Sequence, residues 1–209
     1  MIRQTVAMES SRRRLHASRD GAYTGFLVVG LLVAAMWLVE GINALDGQRL
    51  SQDGIIARHL SGLPGILSAP FLHASFSHLL DNTVPFVIFG LVIATGGVVR
   101  IVIVTVIVAL VSGLGAWALS PSGSDTIGAS GVVFGYATFL IARGAFTRKM
   151  LELAIGLLVA VLFGGALLLS IAPQAGISWQ DHVFGAVGGV LAARALSPRR
   201  RTDQPALKE

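Results

Sequence analysis

Six mainly apolar runs with few charges follow one another along this chain. Each approaches the roughly 20 residues that a helix needs to cross the hydrocarbon core of a bilayer. They cover about residues 23–42, with Glu40 near the end, and 78–96, with Asp81 near the start. The plainest is 101–119, followed by the short, Gly-rich 127–143 and the Leu/Gly/Ala-rich 153–171. The last, 181–196, follows Trp179 and is the weakest by hydropathy. With 54% hydrophobic and only 13% charged residues, the composition lies outside the range of soluble domains, so lipid is the solvent for most of the chain. The expected fold is an all-α, polytopic bundle of six transmembrane helices.

The distribution of charge tests that count independently. Six spans put both termini on one side, and cytoplasmic segments carry the excess of Lys and Arg. Of 16 such residues, 14 fall on one side: Arg3, Arg12, Arg13, Arg14, Arg19, Arg100, Arg143, Arg148, Lys149, Arg194, Arg199, Arg200, Arg201 and Lys208. Arg49 and Arg58 fall on the other. Both termini are therefore expected in the cytoplasm, with segments 43–77, 120–126 and 172–180 outside. Arg12 to Arg14 before an apolar run also resemble a secretory signal, but the run is long and no small-x-small cleavage site follows. The expected organisation is a basic cytoplasmic segment over 1–22, a membrane domain over 23–197 and a basic cytoplasmic tail over 198–209. The net charge of +5 is explained by topology, so no nucleic-acid partner is expected. The outer segment 43–77 is longer than a plain connection requires. Its apolar and turn residues, among them Ile55, Leu63, Pro64, Ile66 and Pro70, suggest partial insertion at the membrane interface.

Cysteine is absent, which removes disulfides, thiolate nucleophiles and Cys-based metal sites. Any chemistry must come from polar groups at membrane depth, where each is costly and therefore a functional candidate. These are Glu40, His73, His78, Asp81, Asn82, Ser130, Asp181 and His182. His78 and Asn82 are four apart, so on a helix they share a face and can aim donors at one spot. Ser130 lies in Gly128-Ala129-Ser130-Gly131, where an outer loop gives way to the fourth span and helix N-terminal N–H groups favour developing negative charge. Taken alone, a serine among glycines reads more readily as close helix packing. The sixth span opens with Asp181-His182 and carries a GxxxG pair at Gly185 and Gly189, matched in the fourth span by Gly131 and Gly135. Packing of these small-residue faces would bring Ser130 and His182 together as nucleophile and base. Asp181 is not assigned to a triad, because adjacent helical residues point about 100° apart.

These residues, in this order and on these spans, resemble the rhomboid intramembrane serine proteases from about Gly54 to Leu196. The stretch 65–82, GILSAPFLHASFSHLLDN, is similar to the approach to the second span in bacterial members. The resemblance implies a six-span rhomboid-like bundle in the bacterial plasma membrane, with Ser130 as nucleophile and His182 as base. It further implies that His78 and Asn82 complete an oxyanion hole with Ser130, and that His73, Gly128, Gly131 and Phe134 support the site. The implied partners are the lipid bilayer and transmembrane protein substrates, with a small residue before the cut and helix-weakening residues beyond it; no cofactor or metal is implied. Two departures stand out. A Trp-Arg pair found in the first outer loop of some members is missing. Phe134 stands where a tyrosine often stacks under the imidazole, so the ring face is kept and the phenol lost. Two other function classes remain open on sequence. One is a metal-dependent hydrolase using His73, His78 and His182, although no HExxH occurs. The other is a catalytically silent membrane adaptor that binds transmembrane clients through the same polar groups.

Overall fold

The computed structural model describes residues 2–174 and 176–197, with the backbone alone over 2–19. The basic tail expected over 198–209 lies outside the described residues. Six long helices form an all-α, polytopic membrane bundle: α1 (Ile2–Leu45), α3 (Phe76–Ala94), α4 (Val98–Leu119), α5 (Ser130–Thr147), α6 (Met150–Ile171) and α7 (Trp179–Ala195). A single-turn helix, α2 (Gly65–Ser68), lies in the long connection between α1 and α3.

Four segments are long and apolar enough to cross a membrane by themselves: Asp20–Leu45, α3, α4 and α6. The shorter α5 and α7, of 18 and 17 residues, fall below that standard for a physical reason. They pack chiefly on other helices, so their composition answers to neighbours rather than to lipid. Most of α5 is buried, including Phe134, Tyr136, Phe139 and Leu140. By contrast α6 buries only Gly156 and Val159 and turns Leu157, Leu158, Val161 and Leu162 outward.

Apolar side chains gain little by leaving lipid for each other, so helices in a bilayer associate through close packing and hydrogen bonds. The α5–α7 contact shows this directly. A Cβ at Gly185 would lie 2.8 Å from the carbonyl carbon and 3.0 Å from the Cα of Gly131. One at Gly189 would lie 2.8 Å from the Phe139 backbone nitrogen. The two helices therefore touch backbone to backbone along the paired glycine stripes. Thr138 Oγ1 adds a hydrogen bond across the seam to the Ala186 carbonyl at 2.9 Å.

Between α1 and α3 the chain is compact rather than loose. Strand β1 (Ile55–Ile56) pairs antiparallel with β2 (Asp125–Thr126), Ile55 opposite Thr126 and Ile56 opposite Asp125. Ile55, Ile66 and Ala69 are buried against Ala116 of α4. Trp117 Nε1 donates to the His59 carbonyl at 2.9 Å. The segment thus braces the connection that leads into α5.

At the opposite end of the bundle, Arg143 is buried on α5. It lies 3.3 Å from Glu152 of α6 and donates to the Leu196 carbonyl beyond α7. One guanidinium thereby ties three helix ends together.

Candidate active site

Two serine caps place the candidate residues of α3 and α7. Ser75 Oγ accepts from His78 N at 3.2 Å, and Ser178 Oγ accepts from Asp181 N at 3.3 Å. Each cap satisfies one of the helix's otherwise unpaired N–H groups and fixes where the first turn begins. As a result His78, Asn82 and His182 all sit within the first two turns of their helices, at the same end of the bundle as Ser130.

A cavity of about 540 Å³ opens at that end, and Ser130, His182, His78, Asn82, Asp81 and Phe134 all line it. A second cavity of about 280 Å³ shares His78, Ile127 and Ser178 with the first. It adds the polar Ser120, Ser124, Asp125 and Gln180. The polar groups singled out at membrane depth are thus gathered around one concave surface, apart from Glu40, His73 and Asp181.

His182 is 5% exposed and held on two sides. Its ring stacks on Phe134 at 4.2 Å between centroids and 7° between planes. Its Nδ1 lies 2.7 Å from the Ser170 carbonyl. A carbonyl only accepts, so Nδ1 carries the hydrogen and Nε2 is left with a free lone pair. Ser170 lies in the last turn of α6, where helix carbonyls have no partner within the helix. This orienting group is a backbone atom and could not be seen in the sequence.

The other side of the cavity holds donors. Ala74 N–H donates to His78 Nδ1 at 3.5 Å, which leaves Nε2 as the N–H donor. Gly128 has φ +113°, a backbone region that side chains rarely adopt. A Cβ there would lie 2.9 Å from His78 Nε2 and 3.7 Å from Asn82 Nδ2. Both nitrogens therefore converge on the turn that delivers Ser130. Asn82 Nδ2 also donates to the His78 backbone carbonyl at 3.1 Å, which ties the Asn82 amide to the preceding turn of α3.

His73 does not reach the cavity. It is fully buried, its ring meets His78 edge-on at 5.0 Å between centroids, and neither ring nitrogen has a hydrogen-bond partner among the described residues. Burial, with the nearby His78 adding to it, lowers its pKa to about 4. A carbonyl contact from Phe71, outside hydrogen-bonding geometry, offsets only part of this. The His73 backbone carbonyl accepts from Asn43 Nδ2 at 3.3 Å. Glu40, also fully buried, accepts from Asn43 and Gln48 at 3.3 Å each. Glu40 therefore anchors the end of α1 to the segment behind the site.

Ser130 and His182 face the same cavity, but no hydrogen bond joins them among the described residues. Ser130 Oγ instead donates to Asp181 Oδ2 at 3.4 Å. Asp181 is 5% exposed, and its other carboxylate oxygen is taken by the hydroxyl of Ser112 on α4. Asp181 and His182 make no hydrogen bond with each other among the described residues. The same 100° step points Asp181 at Ser130, which sequence reasoning missed together with Ser112. The only available signal was a carboxylate placed on the first turn of a helix that packs on the serine's helix.

A family model described as the Rhomboid domain matches residues 61–199, more than half of the chain. The chain belongs to the rhomboid family. Among its relatives, this rhomboid is 42% identical over 177 residues to the uncharacterised Mycobacterium tuberculosis protein Rv1337, covering 81% of this chain and 74% of that one. It is 38% identical over 195 residues to the uncharacterised Mycobacterium leprae protein ML1171, covering 88% of this chain and 76% of the relative. It is also 25% identical over 165 residues to the Bacillus subtilis protein YdcA, named "putative rhomboid protease", covering 77% and 82% respectively.

Proposed function

We propose that this rhomboid is an intramembrane serine endopeptidase that cleaves transmembrane segments with a Ser130–His182 dyad. The observation that carries the reading is His182. Its Nδ1 is committed to the Ser170 carbonyl and its face to Phe134, so the remaining nitrogen is a free base opening on the cavity that holds Ser130.

In the proposed reaction, Ser130 Oγ attacks the scissile carbonyl while His182 Nε2 takes its proton, and the imidazolium then protonates the leaving amine. In this reading His78 Nε2–H, Asn82 Nδ2–H and the Ser130 backbone N–H receive the oxyanion, the last as one of the donors that a helix N-terminus leaves without an intrahelical partner. Water then attacks the acyl-enzyme, with His182 again the base. The polar second cavity supplies a path for that water, which the hydrocarbon core cannot provide. Without a carboxylate partner, the imidazolium is steadied by one carbonyl and one aromatic face.

The charge distribution supports a bacterial plasma-membrane orientation with both termini in the cytoplasm and the site toward the outer face. The proposed substrates are membrane proteins with a transmembrane segment that can unwind locally.

The test is cleavage of a single-span substrate by the purified protein in liposomes, with Ser130→Ala and His182→Ala alongside. The expected result is cleavage by the wild type alone. Equal cleavage by the variants removes the dyad. If no substrate is cleaved and Ser130 is not labelled by a fluorophosphonate, the second reading holds, a silent adaptor that binds transmembrane clients. The observation favouring that second reading is the Ser130 hydroxyl turned to Asp181 rather than to His182.

A further inference from the structure

A serine hydroxyl has a single hydrogen to give, so two acceptors within its reach compete for it. In this structure Asp181 has it, at 3.4 Å from Ser130 Oγ to Oδ2. General-base catalysis by His182 requires that same hydrogen to point at the imidazole. The hydrogen bond to Asp181 and the reactive hydrogen bond therefore exclude each other.

The carboxylate is built into its place. Asp181 sits in the first turn of α7, its backbone N–H capped by Ser178 Oγ. Ser112 of α4 donates to Asp181 Oδ1 and also approaches the Asp181 carbonyl at 3.2 Å. Gly131, next to Ser130, leaves room for the carboxylate: a Cβ at 131 would overlap both Asp181 and Ser112. Asp181 is absent from the large cavity. It lines a separate void of about 10 Å³ with Ser112, Gly128 and Gly131. Three helices thus converge to hold a carboxylate against the nucleophile from outside the large cavity.

We propose that Asp181 is a positioning residue that parks the Ser130 hydroxyl away from His182, in the free protein and with substrate bound alike, so that only a minor fraction of molecules presents the nucleophile to the imidazole at any moment. This inference rests on the protease reading given above. When the reactive orientation is the minor one, the observed rate is scaled down by its fraction, and weakening the parked state raises it.

The test compares the wild type with Asp181→Asn in liposomes, by fluorophosphonate labelling of Ser130 and by kcat and KM for a single-span substrate. Asn keeps the shape but replaces one acceptor oxygen with a donor and leaves the other neutral, and both changes weaken the hold on the hydroxyl. The expected result is labelling and kcat raised by about three- to tenfold, with KM unchanged. Asp181→Ala, which removes the acceptor altogether, is the second variant should Asn fail to fold, and it is expected to move labelling in the same direction. Melting temperature serves as the measure of folding. A wild type that labels beside folded variants that label no faster overturns the parking role and leaves the protease reading standing. A wild type that neither labels nor cleaves overturns both.

Discussion

Gly185→Ala adds one methyl group where two helix backbones meet. An ordinary Cβ contact begins near 3.4 Å, but here the new atom would lie 2.8 Å from the Gly131 carbonyl carbon and closer still to its oxygen. No flexible side chain can move aside, so α7 must shift away from α5 by roughly 0.6 Å or more, and overpacking of this kind costs about 1–3 kcal/mol. The shift acts on the two helices that carry Ser130 and His182. A misplacement of about 1 Å between reacting groups can cost on the order of 100-fold in rate, so a loss of about 10- to 100-fold in kcat is expected. The control is Gly164→Ala on α6, where a Cβ meets nothing within 4 Å. Replacing that glycine should stabilise the helix by up to about 1 kcal/mol, the helix-propensity difference, and leave cleavage unchanged. Thermal unfolding in detergent and cleavage in liposomes measure the two effects separately. A Gly185→Ala protein that melts and cleaves like the wild type would refute the claim that backbone contact between α5 and α7 sets the dyad.

Three further outcomes follow from the site. His73 is neutral and buried with a pKa of about 4, against about 6.5 in an unfolded chain, so unfolding takes up a proton between those values. Its contribution is complete above about pH 6.5 and is lost as pH falls toward 4, a change of at most about 3 kcal/mol. His73→Leu should flatten that part of the stability profile, as measured by unfolding at stepped pH. Phe134→Ala should lower kcat by about two- to tenfold through loss of the stacked face, worth about 0.5–1.5 kcal/mol, while Phe134→Tyr keeps it. Asn82→Ala removes one donor from the proposed oxyanion site and should cost about 2.7–4 kcal/mol in kcat, with KM little changed in steady-state cleavage.

The helices were legible because lipid imposes a simple rule on sequence. The runs at 101–119 and 153–171 became α4 and α6 with boundaries moved by three residues or fewer. The weak signal at 181–196 has a cause visible in the fold, since α7 shares its small-residue face with α5 and needs fewer large apolar groups. Glycine spacing carried the information that hydropathy lacked. The segment 43–77 showed its length and apolar content, but not the pairing of Ile55 and Ile56 with 125–126, which depends on two backbones far apart in sequence. Within the candidate site, residue types pointed to the end of the bundle where Ser130, His182, His78 and Asn82 line one cavity. The Ser170 carbonyl left no trace, because every residue has one and only the fold decides which is free. Asp181 was visible as a polar group, but its partner depended on which way α7 is rotated, and no neighbour in sequence records that.

The Ser170 carbonyl also joins two things that a soluble protease keeps apart. The helix that supplies it, α6, is the most lipid-facing in the bundle, and Phe163, Ala166 and Leu167 of the same helix wall the large cavity. If a substrate helix reaches the cavity by pushing α6 outward, it pulls on the atom that fixes the tautomer of His182. Admission of a guest and the readiness of the base would then be settings of one lever, and a wall locked shut would keep the imidazole in order with nothing to cut.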